Sequence, residues 1–367
     1  MNDIYVFRAV PYEQDSRTVR YKKLLKGNVI FNCWEDNYIN KKGLERLKLG
    51  KKRFSKILVY PCYLLYLFFF TLFKVKKGSI VICMDLDTFI PIFLGNILKR
   101  NIIIFDIVDP ISQTRFSTFP CNRLFDLIEL LIIKYRGGVF LPLKNRVQFY
   151  LDRLGLNWDV SEENFIVLEN VPEFILCANI PEQFERKYDD GSLVKIGYFG
   201  TLDNSRGLME LIRFVKSFPK YELILSGRGN LVPEIKWQSE QFDNIKYLGA
   251  YHPDSIELLY NQVDFVWAFY SPEIFLHHYA APNKFYEHLA FKTPIICNEC
   301  IPQSTLIRHN SSGIVISDFL DENCMSSLDR KIRDFSCTEN SFSLWEEKYA
   351  SYYKTLRDYN DKYDIFK

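Results

Sequence analysis

Short apolar runs recur along the chain, each followed by a stretch whose apolar residues return every three or four positions. From residue 194 the series is regular. Val194–Phe199 runs into Gly200, and the next stretch places Leu208, Leu211, Ile212 and Val215 on one face. Glu222–Leu225 follows and ends in the glycine turn Ser226-Gly227-Arg228-Gly229. Then come Ile245–Leu248, a helix from Ser255 carrying Ile256, Leu259, Tyr260 and Val263, and a strand at Asp264–Phe269. Pro294–Cys297 and Gly313–Ile316 close the series. Short strands alternating with amphipathic helices predict right-handed βαβ units around a parallel sheet, which is one doubly wound α/β domain.

The first half repeats the pattern less cleanly. Asp3–Arg8, Asn28–Phe31, Ile80–Cys83, Ile102–Phe105, Val139–Pro142 and Phe165–Leu168 are the expected strands, with helices near 88–99 and 121–135. The polar, proline-marked stretch from Pro172 to Leu193 separates the halves. The expected division is a first domain over 1–175, a linker over 176–193 and a second domain over 194–339. Near the end, Trp345, Tyr349, Tyr352, Leu356, Tyr359 and Tyr363 recur at four- and three-residue steps. Such a stripe needs a surface to cover, so the helix over 340–367 is expected to cross back and complete the first domain. Two doubly wound domains of this kind are expected to face a cleft bounded by the carboxyl ends of strands.

Charge narrows the classes of partner. Lys+Arg 47 against Asp+Glu 45 gives a net charge of +2, which offers no bulk attraction for a polyanion and argues against nucleic acid. The 9 cysteines are scattered; Cys297 and Cys300 form a CxxC, but no second pair follows at zinc-site spacing, so no metal is expected. The opening residues MNDIYVFRAVPYEQ lack the basic-then-apolar pattern of an export signal. A reduced, cytoplasmic setting is expected.

The densest candidate chemistry lies in Ala281–Ala290, where Pro282 suits the first turn of a helix. Asn283, Lys284 and Glu287 then fall on that turn, where free N–H groups and the dipole attract anions. A cation and a carboxylate three positions apart there could grip a phosphate and a sugar hydroxyl together. The same spacing also serves an ordinary surface ion pair. Upstream, Gly200 would admit close backbone approach of a ligand and Arg206 would offer a fork of donors to a diphosphate, with Gly227 in a similar turn. Neither turn is a GxGxxG fingerprint. In the first half, Asp85 and Asp87 follow one strand, and Asp106 and Asp109 follow another. Strand-end carboxylates suit a general base, Asp109 first and Asp87 second, although aspartates in such places also cap helices and turns. His277 and His278 precede the Pro282 helix, where they either touch a ligand or are simply exposed.

Residues 41–56 hold eight Lys/Arg and one acid, Glu45, and Ile57–Phe73 follows without a charge. The stretch is short for a transmembrane helix and carries Pro61. It suits either a core helix or an interfacial helix beside a basic patch, seating 41–73 on an anionic membrane surface.

The order of the pieces is more specific than any one of them. KIGYFGTLDNSRGL, LILSGRG, NIKYLGAYHPDSIELLYNQVDF and APNKFYEHLAFKTPIIC resemble successive blocks of the donor domain of GT-B glycosyltransferases, most nearly glycosyltransferase family 4, or group 1. The resemblance spans 194–317 and is weaker at IIIFDIVDP and VLENVP. It implies that the second domain holds a nucleotide sugar, with Glu287 on the ribose hydroxyls and Gly200, Arg206, Asn283 and Lys284 facing the diphosphate and sugar. It implies no cofactor beyond that co-substrate, no metal, and retention of anomeric configuration. Two departures stand out: Tyr279 occupies the place of the family's earlier glutamate, and the usual basic pair is reduced to Arg206, with Leu202 at the other place. The implied function is transfer of a sugar to a saccharide, or a polyprenyl-diphosphate-linked saccharide, in cell-surface polysaccharide assembly on the inner face of the cytoplasmic membrane. The alternatives are a sugar-nucleotide epimerase of the same scaffold and a non-catalytic sugar-binding partner protein.

Overall fold

A computed structural model describes residues 3–12, 15–34, 53–172, 185–187 and 193–366. Residues 41–52 of the basic run over 41–56, and most of the expected linker over 176–193, lie outside the described residues, as does Cys177. The chain divides into two compact units, one of residues 1–169 with 352–367 and one of residues 170–351.

The first unit contains β1 (Ile4–Arg8), α1 (Ser16–Leu24), β2 (Val29–Cys33), α2 (Arg53–Phe73), β3 (Ile80–Met84) and α3 (Leu86–Asn96). It continues through β4 (Ile102–Asp106), α4 (Asn122–Tyr135), β5 (Val139–Leu141), α5 (Arg146–Leu154) and β6 (Phe165–Val167). Its sheet runs β2-β1-β3-β4-β5-β6, all parallel. Every residue of β1 and β3 is buried, because helices cover both faces of a parallel sheet. That is why these strands read as unbroken apolar runs. The strand order reverses between β1 and β3, the switch point where a doubly wound sheet opens a crevice.

The second unit begins with β7 (Glu185–Lys187), β8 (Val194–Thr201), α6 (Leu208–Ser217), β9 (Tyr221–Arg228), α7 (Val232–Gln241), β10 (Ile245–Tyr247) and α8 (Ile256–Tyr260). After these come β11 (Phe265–Ala268), α9 (Asn283–Ala290), β12 (Ile295–Asn298), α10 (Ser304–His309), β13 (Gly313–Ile316), α11 (Glu322–Arg333), β14 (Ser336–Thr338) and α12 (Leu344–Tyr363). The sheet order is β10-β9-β8-β11-β12-β13, again parallel, with its switch point between β8 and β11. β7 and β14 form a small antiparallel ladder that the apolar pattern does not reveal, since Glu185-Arg186-Lys187 has no apolar residue.

Two helices bear on the expectations made for them. α12 starts in the second unit and ends in the first, where Tyr352, Leu356 and Tyr359 are buried and the Tyr359 ring meets Phe140 at 5.0 Å. Beyond it, Phe366 pairs with Leu25 as an antiparallel bridge. α2 divides its faces: Tyr63, Leu67 and Phe70 are buried, Phe70 5.9 Å from Phe7, while Leu65, Phe69 and Phe73 are exposed. Among the described residues no helix is long and apolar enough to cross a membrane.

Candidate functional site

At the carboxyl end of β8 the backbone is opened by glycine. Gly200 has φ +150 and pairs across the sheet with Gly227. A methyl on Gly227 would come 1.8 Å from the Gly200 carbonyl oxygen, so only glycine lets these two strand ends lie side by side. The Gly227 N–H donates to the Gly249 carbonyl at 2.8 Å, and Tyr247 Oη donates to the Gly227 carbonyl at 3.0 Å. These bonds leave a low floor of main chain held at three neighbouring strand ends.

Lys284 reaches that floor. It lies in the first turn of α9, which Pro282 precedes as N-cap, and its side chain is buried. Its Nζ lies 3.0 Å from where a Gly200 Cβ would be and 4.4 Å from the centroid of the Tyr198 ring. Burial pushes this amine down to about 8, with Glu287 pulling the other way and Arg206 adding to the depression. A cation desolvated in this manner is poised for an anion. One turn on, Glu287 Oε2 accepts from Tyr260 Oη at 2.9 Å, which orients the carboxylate.

Arg206 sits in the turn Asn204–Arg206 before α6. Its guanidinium stacks 4.2 Å from the Tyr270 ring centroid and is 3.9 Å from Asp203. The turn is anchored: Trp267 Nε1 donates to the Arg206 carbonyl at 2.8 Å, and Ser271 N–H donates to the Ser205 carbonyl at 2.9 Å. Leu202 is wholly buried in the apolar core of the second unit. That place therefore holds a core side chain and leaves Arg206 without a basic companion there.

The neighbouring residues are structural in their bonding. His277 is buried with Nδ1 2.8 Å from the Ser271 carbonyl, and burial together with Arg206 pushes it down to about 4. His278 Nε2 lies 3.0 Å from the Pro272 carbonyl, and its Nδ1 lies 3.7 Å from Cys300 Sγ. Cys297 and Cys300 are both buried free thiols, pushed up by burial, and Cys300 to about 12. Neither is a ready thiolate.

The first unit gathers charge at its own switch point. Arg8 ends β1 and Asp85 follows β3; they form a buried ion pair, and Arg8 Nε also reaches Asp15 at 3.0 Å. Arg115 links Asp85 at 2.9 Å to Asp87 at 2.6 Å, and Tyr60 Oη donates to Asp87. Asp85 has φ 66 and ψ 163, a conformation rare outside glycine, and it accepts from the main-chain N–H of Val108 at 3.0 Å. Burial opposes its charge, but Arg8 and Arg115 outweigh burial and hold its carboxyl below the ordinary range.

The two carboxylates named from sequence fall into this network differently. Asp87 is buried and tied to Arg115 and Tyr60. Asp109 keeps about half of its side chain exposed (49%), with Arg146 at 3.4 Å. Desolvation by the surrounding chain, helped by nearby Asp85, pushes its carboxyl up, while Arg146 pulls it down. Asp106 serves a different purpose: Arg17 holds it at 2.7 Å through two nitrogens and Tyr21 donates to it at 2.7 Å, in a wholly buried brace. The sequence does not point to Arg115 or Tyr198, nor to the bond that Tyr260 makes with Glu287. The one available signal was Arg8, a charge closing the apolar run Ile4–Phe7.

No protein-family model matches the chain, and no curated protein matches it in sequence. Solved structures do match in shape. Sucrose-phosphate synthase from Thermosynechococcus elongatus superposes with a TM-score of 0.64 at 11% identity, over 99% of this chain and 98% of that one. HepE from Anabaena, solved in complex with UDP-glucose, gives 0.64 at 12% identity over 98% and 99%. WaaG, described as a glycosyltransferase involved in lipopolysaccharide biosynthesis, gives 0.55 at 11% identity over 94% and 95%. Two parallel six-stranded sheets in these orders, with a final helix returning to the first unit, give this chain the GT-B fold.

Proposed function

We propose that the protein is a glycosyltransferase that moves a sugar from a nucleoside diphosphate sugar to a saccharide acceptor. The observation that carries this reading is Lys284, whose buried ammonium lies over the glycine floor at Gly200 with Glu287 one turn away. The HepE complex with UDP-glucose, in a structure of the same fold, supports a nucleotide sugar as the ligand of this surface. The donor diphosphate lies against Gly200 and Gly227, met by Lys284, Arg206 and the Asn283 turn, while Glu287 takes the ribose hydroxyls.

Glycosyl transfer breaks the bond between the anomeric carbon and the diphosphate oxygen, so negative charge grows on the leaving group. Fixed cations and N–H groups stabilise that charge in proportion to its growth, which is how a site lowers the barrier. Lys284 and Arg206 supply the charge from the protein itself, and the reading assigns no metal and no further cofactor. Retention of configuration is part of the proposal. In the first unit, Asp109 is the candidate to accept the acceptor hydroxyl's proton, and Asp87 is the second.

The finer proposal is a lipid-linked acceptor in cell-surface polysaccharide assembly, with the protein peripheral on the inner face of the cytoplasmic membrane through residues 41–73. The role of WaaG in lipopolysaccharide biosynthesis and the exposed apolar face of α2 favour it. Isothermal titration of the intact chain against a panel of nucleotide sugars tests the core reading. One donor is expected to bind selectively, and Lys284→Met to weaken that binding about a hundredfold; a panel without any binder sinks it.

A further inference from the structure

In the second unit β8, β11, β12 and β13 lie side by side, and one chain of contacts links their carboxyl ends. Arg206 stands beyond β8, Tyr270 beyond β11, Asn298 at the last position of β12 and Asp318 beyond β13. The β11–β12 ladder ends at Ala268 and Cys297, and the wholly buried Asn298 side chain continues it. Its Oδ1 accepts from the Tyr270 N–H at 2.9 Å and its Nδ2 donates to the Tyr270 carbonyl at 2.8 Å, the donor and acceptor that a neighbouring strand would supply. Nδ2 also donates to Asp318 Oδ1 at 2.8 Å, and the same oxygen accepts from the Cys300 N–H at 2.6 Å. A carboxylate only accepts, so Asp318 fixes which end of the Asn298 amide donates.

Tyr270 in turn holds a cation. The Arg206 guanidinium lies 4.2 Å from the Tyr270 ring centroid, while Asp203, 3.9 Å from Arg206 Nε, accepts from the Ser205 N–H and hydroxyl. The His277 ring meets the Tyr270 ring at 5.1 Å and 85°, and His277 Nδ1 lies 2.8 Å from the Ser271 carbonyl. Main chain and a packed neighbour thus both set the Tyr270 ring. A ring face draws a guanidinium by its plane, where a carboxylate would take hold of the N–H groups themselves. The ring orients the cation and leaves its charge in place.

We propose that Asn298 and Tyr270 are positioning residues for the donor: the Asp318–Asn298 pair fixes Tyr270, and Tyr270 aims the Arg206 guanidinium at the diphosphate. This deepens the transferase reading and rests on it for the identity of the anion. The need is local. Arg206 closes a three-residue turn, and a long side chain on so short an element has much rotamer freedom to lose. Seating it beforehand removes that loss from binding. Aim matters most as charge grows on the leaving group, so a misaimed Arg206 is expected to lower kcat more than it raises the donor's KM.

Inorganic pyrophosphate, which carries the charge that the leaving group acquires, is the probe for the full chain labelled with nitrogen-15 arginine. The Arg206 Nε–H signal, identified by its loss in Arg206→Lys, is expected upfield of the ordinary arginine range because of the Tyr270 ring current. Added pyrophosphate is expected to shift it. Tyr270→Phe retains the ring and is expected to retain both signatures. Tyr270→Leu is expected to return the signal to the ordinary range and to weaken pyrophosphate about tenfold or more, the scale of one charge-assisted hydrogen bond. Asn298→Asp loses the donor to the Tyr270 carbonyl, sets a second carboxylate against Asp318, and is expected to do the same. Should that buried variant fail to fold, the partly exposed Tyr270 carries the test. An ordinary Arg206 signal in the unmutated chain, indifference of signal or affinity to Tyr270→Leu, or no pyrophosphate binding each overturn the proposal. With the nucleotide sugar that the titration selects, Tyr270→Leu is expected to lower kcat about tenfold and to change KM less; a KM effect alone overturns it. The two readings fail separately. Pyrophosphate binding that depends on Tyr270, with no nucleotide sugar bound, sinks only the transferase; nucleotide-sugar binding with pyrophosphate indifferent to Tyr270 sinks only this proposal.

Discussion

The two units bring charge to the same place in the same kind of sheet and treat it in opposite ways. At the β1/β3 switch point, Arg8, Asp15, Asp85, Arg115 and Asp87 close on one another, so each buried charge already has its partner. At the β8 end, Lys284 is buried over an aromatic ring and a glycine floor, and desolvation lowers its basicity. The first arrangement fixes a backbone. The second stores an electrostatic cost that a bound anion relieves. Under the proposed function the second arrangement is the donor site.

Removing the keystone of the closed network sharpens this contrast most. Asp85→Ala leaves Arg8 and Arg115 short of a buried partner, and chemical denaturation is expected to show a loss of about 3–5 kcal/mol. A loss below about 1 kcal/mol would mean that the cluster is solvated, and the distinction between the units would vanish. Next in size is Gly227→Ala, which drives a methyl into the Gly200 carbonyl and is expected to cost roughly 3 kcal/mol. Donor binding should fall with it.

Lys284→Met is the converse case. Thermal stability is expected to hold or rise, because a desolvated cation is removed, while donor affinity falls about a hundredfold, the scale of one charged hydrogen bond. A drop in melting temperature with unchanged affinity would make Lys284 part of the scaffold. The smallest effect is a proton count. Lys284 is lowered from 10.5 to about 8, so the unfolded chain binds this proton more tightly than the folded one. The penalty is full below about pH 8 and fades as pH rises towards 10.5, so the unliganded protein gains stability across that window. An anionic donor restores the higher pKa. Titration calorimetry at pH 8.5 in two buffers of different ionisation heat is therefore expected to show proton uptake, lost in Lys284→Met.

Much of the architecture was legible because parallel strands buried on both faces leave unmistakable apolar runs, as Ile80–Cys83 and Val194–Phe199 do. The Pro282 helix was legible for the same local reason, a proline start followed by a polar first turn. What local pattern does not carry is partnership across the sequence. Nothing near Lys284 announces Tyr198, and nothing near Glu287 announces Tyr260. Asp85 looks like any aspartate after a strand; its φ of 66 and its bonds to Arg8, Arg115 and the Val108 N–H involve residues far away in the sequence. Leu202, just past β8, reads as a loop residue in the sequence, yet its side chain is wholly buried in the core of the second unit.

The bridge between Leu25 and Phe366 sets an order of assembly during synthesis. Lys26 N–H bonds the Ile365 carbonyl at 3.0 Å, and Ile365 and Phe366 are buried against the first unit. A ribosome therefore delivers all of the second unit before it delivers the residues that finish the first. The nascent chain must carry an incomplete amino-terminal half, its α12 seam open, for the whole time that β8 to β14 are being made. A fusion or truncation at 364–366 is thus a folding lesion at the other end of the chain.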